Sequence, residues 1–228
     1  IWNGIHVDKK SGKYLDISAE CEKIEALKAD ALARAVGGSR AFVETTVFKR
    51  IAKICDEAMI CNTIAMVYGE SQIGKTAALK EYARRNNHGQ TVYVLMPASA
   101  GVQSMMKAIG DGCHISTRTS FEGLRDRVSR FLDDTKLLIL DEVHEAFVSY
   151  HRQATVKCMS VLRQLQEQTQ CGLVLCGTNV FRNQIERGEF AQSLKQLRKR
   201  GIWELQLEDS PSKGDIALIY RHYKLPKP

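Results

Sequence analysis

The stretch GESQIGKT, residues 69–76, constrains the fold more than any other part of this sequence. It matches the pattern G-x-x-x-x-G-K-[ST] in full and comes directly after the apolar run IAMVY at residues 64–68. Glycines let backbone N–H groups curl around an anion, and a helix that begins at Lys75 would direct its positive dipole end at the same point. A chance turn between a loop and a helix is the alternative, and the strand before the motif disfavours it. The pattern therefore predicts a strand, a phosphate-binding loop and a helix.

The residue types in this loop suit a nucleoside triphosphate. Lys75 is long enough to reach the β- and γ-phosphates, and the Thr76 hydroxyl is a ligand for Mg²⁺. The residues that we expect to bind the nucleotide are Gly69, Glu70, Ser71, Gln72, Ile73, Gly74, Lys75 and Thr76.

A second motif, LLILDEVHEAF at residues 137–147, places acidic residues at the end of an apolar strand. Ligands of open α/β sheets bind outside the carboxyl ends of the strands. We therefore expect Asp141 to hold Mg²⁺ beside the nucleotide, and Glu142 to orient and deprotonate the attacking water. A helix-capping Asp-Glu pair is the alternative, and the glycine loop upstream makes it the poorer explanation.

The letters DEVH at residues 141–144 also resemble the DExH box of superfamily-two helicases. That class requires a Ser-Ala-Thr-like segment at the end of the next strand, whereas this chain has GLVLCGTN at residues 172–179. We therefore reject the helicase interpretation and expect Asn179 to contact the γ-phosphate or the attacking water. His144 and His151 lack a third ligand, so we interpret His144 as an ordinary helix-face residue rather than a zinc ligand.

Short apolar runs alternate with helical stretches along the chain. The predicted strands are Ile64–Tyr68, Thr91–Leu95, Leu137–Leu140, Gly172–Cys176 and Ile202–Leu207. Helices are predicted at 45–58, 75–85, 102–109, 121–132 and 150–168, and as segments across 180–199. This alternation predicts an α/β fold in which a parallel five-stranded sheet is flanked by helices on both faces.

Composition narrows the choice of partner and compartment. The 228 residues are 44% hydrophobic, enough for the core of one α/β domain, and the net charge of +7 favours an anionic partner such as nucleic acid. Seven cysteines without a C-x-x-C pair suit a reducing environment. No apolar run approaches the roughly 20 residues that span a bilayer. We therefore expect a cytoplasmic protein with no membrane partner.

A basic segment precedes the last predicted strand. Residues 182–200 end in QLRKRG, and Arg198 and Arg200 stand just before the strand. An arginine at this place is a candidate arginine finger, which neutralises transition-state charge in a neighbouring subunit's nucleotide site. A solvated helix face is the alternative, and the sequence does not choose between the two arginines.

Taken in order and spacing, GESQIGKT, LLILDE, VLCGTN and QLRKRG resemble the core of the AAA+ ATPases. The stretch FAQSLKQLRKRGIWELQLEDSPSKGDIALI is similar to the finger region, final strand and first lid helix of the transposition-regulator branch, which includes phage Mu protein B, IstB and TnsC. The resemblance covers residues 42–223. It implies an AAA+ core at 39–208 and the start of a helical lid with a linker at 209–228. The polar residues before this core end at the pair Gly37-Gly38, so we interpret 1–38 as an N-terminal appendage joined by a glycine hinge.

The resemblance implies an ATPase that uses ATP and Mg²⁺, forms homo-oligomeric filaments or rings on double-stranded DNA, and stimulates a transposase. It also implies a DNA-facing surface with Lys107, Arg118 and Arg125, for which plain surface charge is the alternative. Because the sequence ends soon after DIALIYRHYKLP, we expect most of the helical lid to be absent and hydrolysis to be weak. Arg221 comes too early to be assigned as the second-sensor arginine.

Two other functions remain open at this point. One is a helicase loader of the DnaC type, or a signalling switch, whose partner is a protein. The other is a small-molecule P-loop kinase, which Glu142 and the finger segment disfavour because both suit attack by water.

Overall fold

The computed structural model describes residues 42–86, 88–98, 101–147, 152–187 and 202–223. All of them except Phe42 belong to one compact unit, Val43–Pro228. The predicted appendage at 1–38 and both candidate fingers, Arg198 and Arg200, lie outside the described residues. The domain boundaries therefore stay predictions.

The described residues form alternating strands and helices. The strands are β1 (Ile64–Tyr68), β2 (Thr91–Leu95), β3 (Leu137–Asp141), β4 (Gly172–Gly177) and β5 (Trp203–Gln206). The helices are α1 (Thr46–Ile60), α2 (Lys75–Arg85), α3 (Val102–Gly112), α4 (Phe121–Phe131), α5 (Val143–Phe147), α6 (Arg152–Thr169), α7 (Asn179–Arg187) and α8 (Lys213–Tyr223).

The five strands form one sheet in the order β2-β3-β4-β1-β5, with every neighbouring pair parallel. The predicted α/β fold with a parallel five-stranded sheet is therefore confirmed. In the register, Tyr68 lies opposite Gly177, and Leu95 lies opposite Asp141. The carboxyl ends of β1, β3 and β4 consequently meet at one edge, and the loop after β1 leaves from the interior of the sheet.

Helices cover both faces of the sheet, which explains why β1, β3 and β4 are buried at every position. On one face, alternate side chains such as Met66, Val94 and Leu140 form a single hydrophobic cluster with side chains of α3, α4 and α6. On the other face, α1 packs on β1, β4 and β5, and α2 packs on β2, β3 and α1. Asp141 and Tyr93 alternate with cluster residues, so they face α2.

The observed strand ends differ from the predicted ones by no more than one residue, and β5 is one residue shorter than predicted at each end. β3 and β4 each continue one residue further than predicted, to Asp141 and Gly177, and the short helix α5 was not predicted separately. Of the predicted helical segments at 180–199, α7 is present up to Arg187 and the remainder lies outside the described residues. Within the part of the chain described here, no helix is both long enough and apolar enough to cross a membrane.

Candidate nucleotide-binding site

The loop between β1 and α2 has a backbone that only particular residues permit. A Cβ atom on Gly69 would lie 2.6 Å from Cδ1 of Ile73 and 3.0 Å from Cβ of Leu207, both of which are buried. Gly74 has a φ of +96° and Gln72 a φ of +67°, so the chain enters the left-handed region twice before α2 begins. These constraints explain why the two glycines stand at the first and sixth positions of the motif.

Helix α2 begins without a side-chain cap. Its N-cap is Gly74, whereas α1 and α4 are capped by the hydroxyl groups of Thr45 and Ser120, which accept hydrogen bonds from Phe48 and Gly123. The first N–H groups of a helix need acceptors, and a phosphate at the helix N-terminus supplies them. The start of α2 is therefore suited to bind an anion.

Lys75 is held inside the loop. Its Nζ donates hydrogen bonds to the carbonyl oxygens of Gly69 at 2.9 Å and Glu70 at 2.6 Å, and the residue is 5% exposed. An ammonium group has three N–H donors, so two carbonyls leave one donor for a phosphate oxygen. Thr76, the next residue, is half-buried on the first turn of α2.

Asp141 is fully buried at the end of β3, and both of its carboxylate oxygens have protein partners. Oδ1 accepts the backbone N–H of Glu142, and Oδ2 accepts the hydroxyl of Tyr93, each at 2.9 Å. Burial, together with the charge of Asp141, raises the pKa of Tyr93, so the hydroxyl stays a donor. Burial and the same carboxylate also raise the pKa of the adjacent Cys176 thiol well above its usual value. Neither Tyr93 nor Cys176 was predicted to belong to the site.

Glu142 has a φ of +55°, a left-handed conformation that is uncommon for a residue with a side chain. Its side chain is 32% exposed, and Oε2 lies 3.2 Å from Nδ1 of His144. Nε2 of the same imidazole lies 3.6 Å from Oε1 of Glu145. His144 therefore lies on a helix, as predicted, and its imidazole stands between two carboxylates.

Asn179 is bound to the phosphate loop rather than to Glu142. Its Nδ2 donates to Oε1 of Glu70 at 2.6 Å, and its Oδ1 accepts from Nε2 of Gln206 at 3.0 Å. Gln206 in turn accepts a 2.9 Å hydrogen bond from Arg182 through Oε1, and a 2.8 Å bond from Arg50 through its backbone carbonyl. The contact of Asn179 with a γ-phosphate or water stays a prediction. Gln206 was missed because nothing in the local sequence of β5 distinguishes it.

Within the described residues, three buried polar side-chain atoms have no hydrogen-bond partner: one is Oγ1 of Thr91 at the start of β2, and the other two lie near the carboxyl ends of β3 and β4. These two are Nδ1 of His144, which lies close to Glu142 but is not aligned with it, and Oγ1 of Thr178, which follows the last residue of β4. Buried polar atoms are usually paired, so such atoms at strand ends favour a site that binds a polar ligand. The residues also fit Mg²⁺ with a nucleotide, because Thr76 and Asp141 offer oxygen donors and Mg²⁺ takes its remaining ligands from phosphates and water.

The three candidate DNA contacts lie on a helical hairpin formed by α3, the loop 113–120 and α4. Lys107 is exposed on α3, Arg118 is exposed in the loop, and Arg125 is half-buried on α4. The hairpin follows β2 in the sequence. It packs on one face of the sheet, and α2 packs on the other face. These residues therefore belong to a different surface from the phosphate loop.

Comparison of the sequence with known proteins identifies its family and several relatives. Residues 62–185, more than half of the chain, match the family described as AAA domain. DNA transposition protein B of the Mu-like prophage FluMu of Haemophilus influenzae is 28% identical over 79% of this chain and 60% of its own length. ATP-dependent target DNA activator B of Escherichia phage Mu is 32% identical over 70% of this chain and 50% of its own length. The chain thus spans about half to three fifths of these relatives.

Solved structures of low identity also align with the chain. They include Drosophila ORC bound to AT-rich DNA and Cdc6, at 14% identity and a TM-score of 0.47 over 75% of this chain and 59% of that one. A DNA replication initiation factor aligns at 16% identity and a TM-score of 0.48 over 78% of this chain and 52% of that one. The family match and the transposition relatives agree with the resemblance carried by the four sequence motifs. The chain belongs to the AAA domain family of ATP-binding proteins.

Proposed function

We propose that this chain binds ATP with Mg²⁺ where β1, β3 and β4 end, assembles on double-stranded DNA in the ATP-bound state, and directs a transposase to the DNA that it covers. The observation that carries the proposal is the meeting of the Lys75 loop with the acidic end of β3 at one edge of the sheet. The names of the relatives, which refer to DNA transposition and to an ATP-dependent activator of target DNA, supply the biological setting.

The roles of the residues follow from their chemistry. The loop amides, the start of α2 and the Lys75 ammonium bind the phosphates, while Thr76 and Asp141 hold the metal, which supplies charge neutralisation when bound. Glu142 accepts the proton of the attacking water through its partly exposed carboxylate. Asn179 orients the same water or the terminal phosphate. Arg198 or Arg200 of a neighbouring protomer completes the site by neutralising transition-state charge.

DNA binding is proposed for the hairpin of α3 and α4. The net charge of +7 favours a polyanion, and Lys107, Arg118 and Arg125 lie on this one hairpin. Nucleotide-dependent assembly brings many such hairpins to one duplex, so weak contacts of single protomers add up. Hydrolysis removes the nucleotide contacts between protomers and releases the DNA.

Co-sedimentation with duplex DNA tests this function. The chain is mixed with DNA in ATP, in ADP and without nucleotide, and each series is repeated over a range of salt concentrations. We expect retention only with ATP, and a steep loss of retention as salt rises, because phosphate contacts release counterions. Retention that is independent of the nucleotide contradicts the proposal. ATP-dependent oligomers that retain no DNA even at low salt would instead favour a helicase loader or signalling switch with a protein partner.

A further inference from the structure

Tyr93 connects the edge strand β2 to the acidic end of β3. Its neighbours Val92 and Val94 point into the hydrophobic cluster, so the tyrosine ring lies on the opposite face, where Nζ of Lys80 on α2 is 5.8 Å from the ring centre. In the register, Tyr93 lies opposite Ile139, two residues before Asp141. Residues two positions apart along a strand lie on the same face of the sheet, and the hydroxyl of the long tyrosine side chain meets Oδ2 of Asp141 at 2.9 Å.

The carboxylate of Asp141 needs such a contact to keep one orientation. The χ2 torsion of an aspartate has a broad, shallow preference, so rotamer energetics alone do not fix the plane of the carboxylate. The Glu142 N–H binds Oδ1, which leaves rotation about that single bond. The Tyr93 hydroxyl binds the second oxygen and stops the rotation. The main chain beneath is held as well, since the Asp141 carbonyl accepts a 2.9 Å hydrogen bond from the Met96 N–H.

We propose that Tyr93 is a positioning residue for Mg²⁺: its hydroxyl fixes the orientation in which the Asp141 carboxylate meets the metal of the bound nucleotide. This inference rests on the proposed ATP-binding function and adds to it a residue on another strand. Outer partners of metal ligands act in this way, by orienting the ligand before the metal arrives. Tyr93 itself does not touch the nucleotide or the metal.

The chain offers a matched control for the substitution Tyr93→Phe. Tyr82 on α2 donates its hydroxyl to Oδ1 of Asp56 on α1 at 2.7 Å, and neither residue belongs to the proposed nucleotide site. Tyr82→Phe therefore removes a hydrogen bond of the same chemistry from the same fold without touching Asp141. If only Tyr93→Phe weakens Mg²⁺ binding, the cause is the lost contact with Asp141 and not the loss of a tyrosine hydrogen bond in general.

The experiment measures binding of a fluorescent ATP analogue to the whole chain as Mg²⁺ is titrated, together with binding of the analogue in EDTA. For Tyr93→Phe we expect the Mg²⁺ concentration at half-saturation to rise about tenfold, with binding in EDTA unchanged. For Tyr82→Phe we expect neither value to change. An unchanged Mg²⁺ requirement in Tyr93→Phe, or an equal rise in Tyr82→Phe, overturns the inference.

A spectroscopic measurement on the unsubstituted chain supports the same test. With 3-fluorotyrosine incorporated, the ¹⁹F signal of Tyr93 is identified as the one that the Tyr93→Phe spectrum lacks. Addition of Mg²⁺ to the nucleotide-bound protein should shift this signal. If no tyrosine signal moves although Mg²⁺ tightens nucleotide binding, Tyr93 has no positioning role. If the unsubstituted chain binds no ATP analogue under any condition, the proposed function fails first, and the inference fails with it.

Discussion

Asn179 is fixed at both ends of its side-chain amide, with Nδ2 donating to Glu70 of the phosphate loop at 2.6 Å and Oδ1 accepting from Gln206 of β5 at 3.0 Å. A carboxylate can only accept hydrogen bonds, so the donor end of the amide must face Glu70. Asn179, two residues after the end of β4, therefore joins the loop after β1 to strand β5. A triphosphate at the loop brings negative charge toward Glu70, and this makes the Glu70–Asn179 bond sensitive to the nucleotide.

This relationship predicts the effect of Asn179→Asp. The new carboxylate would face Glu70 at hydrogen-bond distance, and repulsion would displace it, so we expect turnover to fall about 100-fold as one aligned polar group is lost. Steady-state phosphate release measures the change. Asn183→Asp, at an exposed position one turn further along α7, is the control and should leave turnover unchanged. Equal turnover in Asn179→Asp and the unsubstituted chain contradicts a role for this amide.

Lys75→Ala is expected to abolish nucleotide binding and assembly together. The buried ammonium is the charged donor of the loop, and a charge-assisted hydrogen bond of about 1.5–3 kcal/mol corresponds to a tenfold or larger loss of affinity per bond. Isothermal titration calorimetry with ATP and ADP measures the loss. Lys49→Ala, at an exposed site on α1, should bind both nucleotides normally. Normal binding by Lys75→Ala would show that the phosphates lie elsewhere.

Glu142→Gln should separate binding from hydrolysis. A glutamine cannot take the proton of water, so we expect ATP to bind, phosphate release to fall by at least about 100-fold, and assemblies on DNA to persist. Electron microscopy over time measures their lifetime. Glu145→Gln, whose carboxylate contacts the other nitrogen of His144 at 3.6 Å, is the matched control and should turn over normally. Faster dispersal of the Glu142→Gln assemblies would contradict disassembly driven by hydrolysis.

Arg198→Ala and Arg200→Ala should differ when each is mixed with Lys75→Ala protein. The Lys75→Ala chain binds no nucleotide and does not assemble by itself, but it carries both arginines and can join the interface formed by ATP bound to an arginine variant. It therefore restores turnover only to a variant whose missing arginine acts across the interface. Phosphate release at constant total protein measures the rescue. Arg130→Ala, which removes an exposed ion pair with Asp126 on α4, should need no rescue. If neither arginine variant is rescued, the finger lies elsewhere.

Asp215 predicts a dependence of stability on pH. The carboxylate accepts hydrogen bonds from the N–H of Thr46 at 2.7 Å and from its hydroxyl at 3.1 Å, which joins α8 to the start of α1. Burial alone would raise its pKa, but the hydrogen bonds from Thr46 and Ser212 outweigh burial and lower the pKa below 3.8. A lowered pKa contributes stability above the unfolded value, and this contribution is lost as the pH falls through and below it.

Urea denaturation measures this contribution in Asp215→Asn. Near neutral pH we expect the free energy of unfolding to drop by about 1–2 kcal/mol, because a charged acceptor is replaced by a neutral one. Below pH 3.8 the difference from the unsubstituted chain should shrink. Asp209→Asn, at an exposed position before α8, should show no difference at either pH. If the difference in the free energy of unfolding between Asp215→Asn and the unsubstituted chain stays constant with pH, the charge of Asp215 does not stabilise the fold.

The parts of the fold that the sequence predicts well are those with local patterns. Lys75–Arg85 and Thr91–Leu95 have the predicted boundaries, because a glycine motif and β-branched alternation mark them within a few residues. Helix α5, with only five residues at 143–147, is too short to show a helical period, so no separate helix was predicted between the strand at 137–140 and the helix at 150–168. The loop and the acidic strand end were predicted for the same reason, since each is a continuous motif.

The contacts within the site depend on strand order, which no local pattern contains. Tyr93 reaches Asp141 only because β2 and β3 are neighbours in a particular register, and Asn179 reaches Gln206 only because β1, between β4 and β5, keeps those strands close. The sequence could place an asparagine at the tip of a neighbouring strand, but it could not assign Glu70 as its partner. Tyr93 and Asp141 are 48 residues apart in the sequence, and Glu70 and Asn179 are 109 residues apart.

The left-handed backbone at Glu142 has a consequence for how this protein can be improved or can evolve. Glycine and asparagine tolerate a φ of +55° better than glutamate does, so a screen that rewards heat resistance alone would favour replacing Glu142. We expect such a variant to melt later and, with the proposed base removed, to lose most of its turnover. Thermostable descendants of this chain that keep glutamate at this position would therefore report that turnover, and not only nucleotide binding, has been under selection.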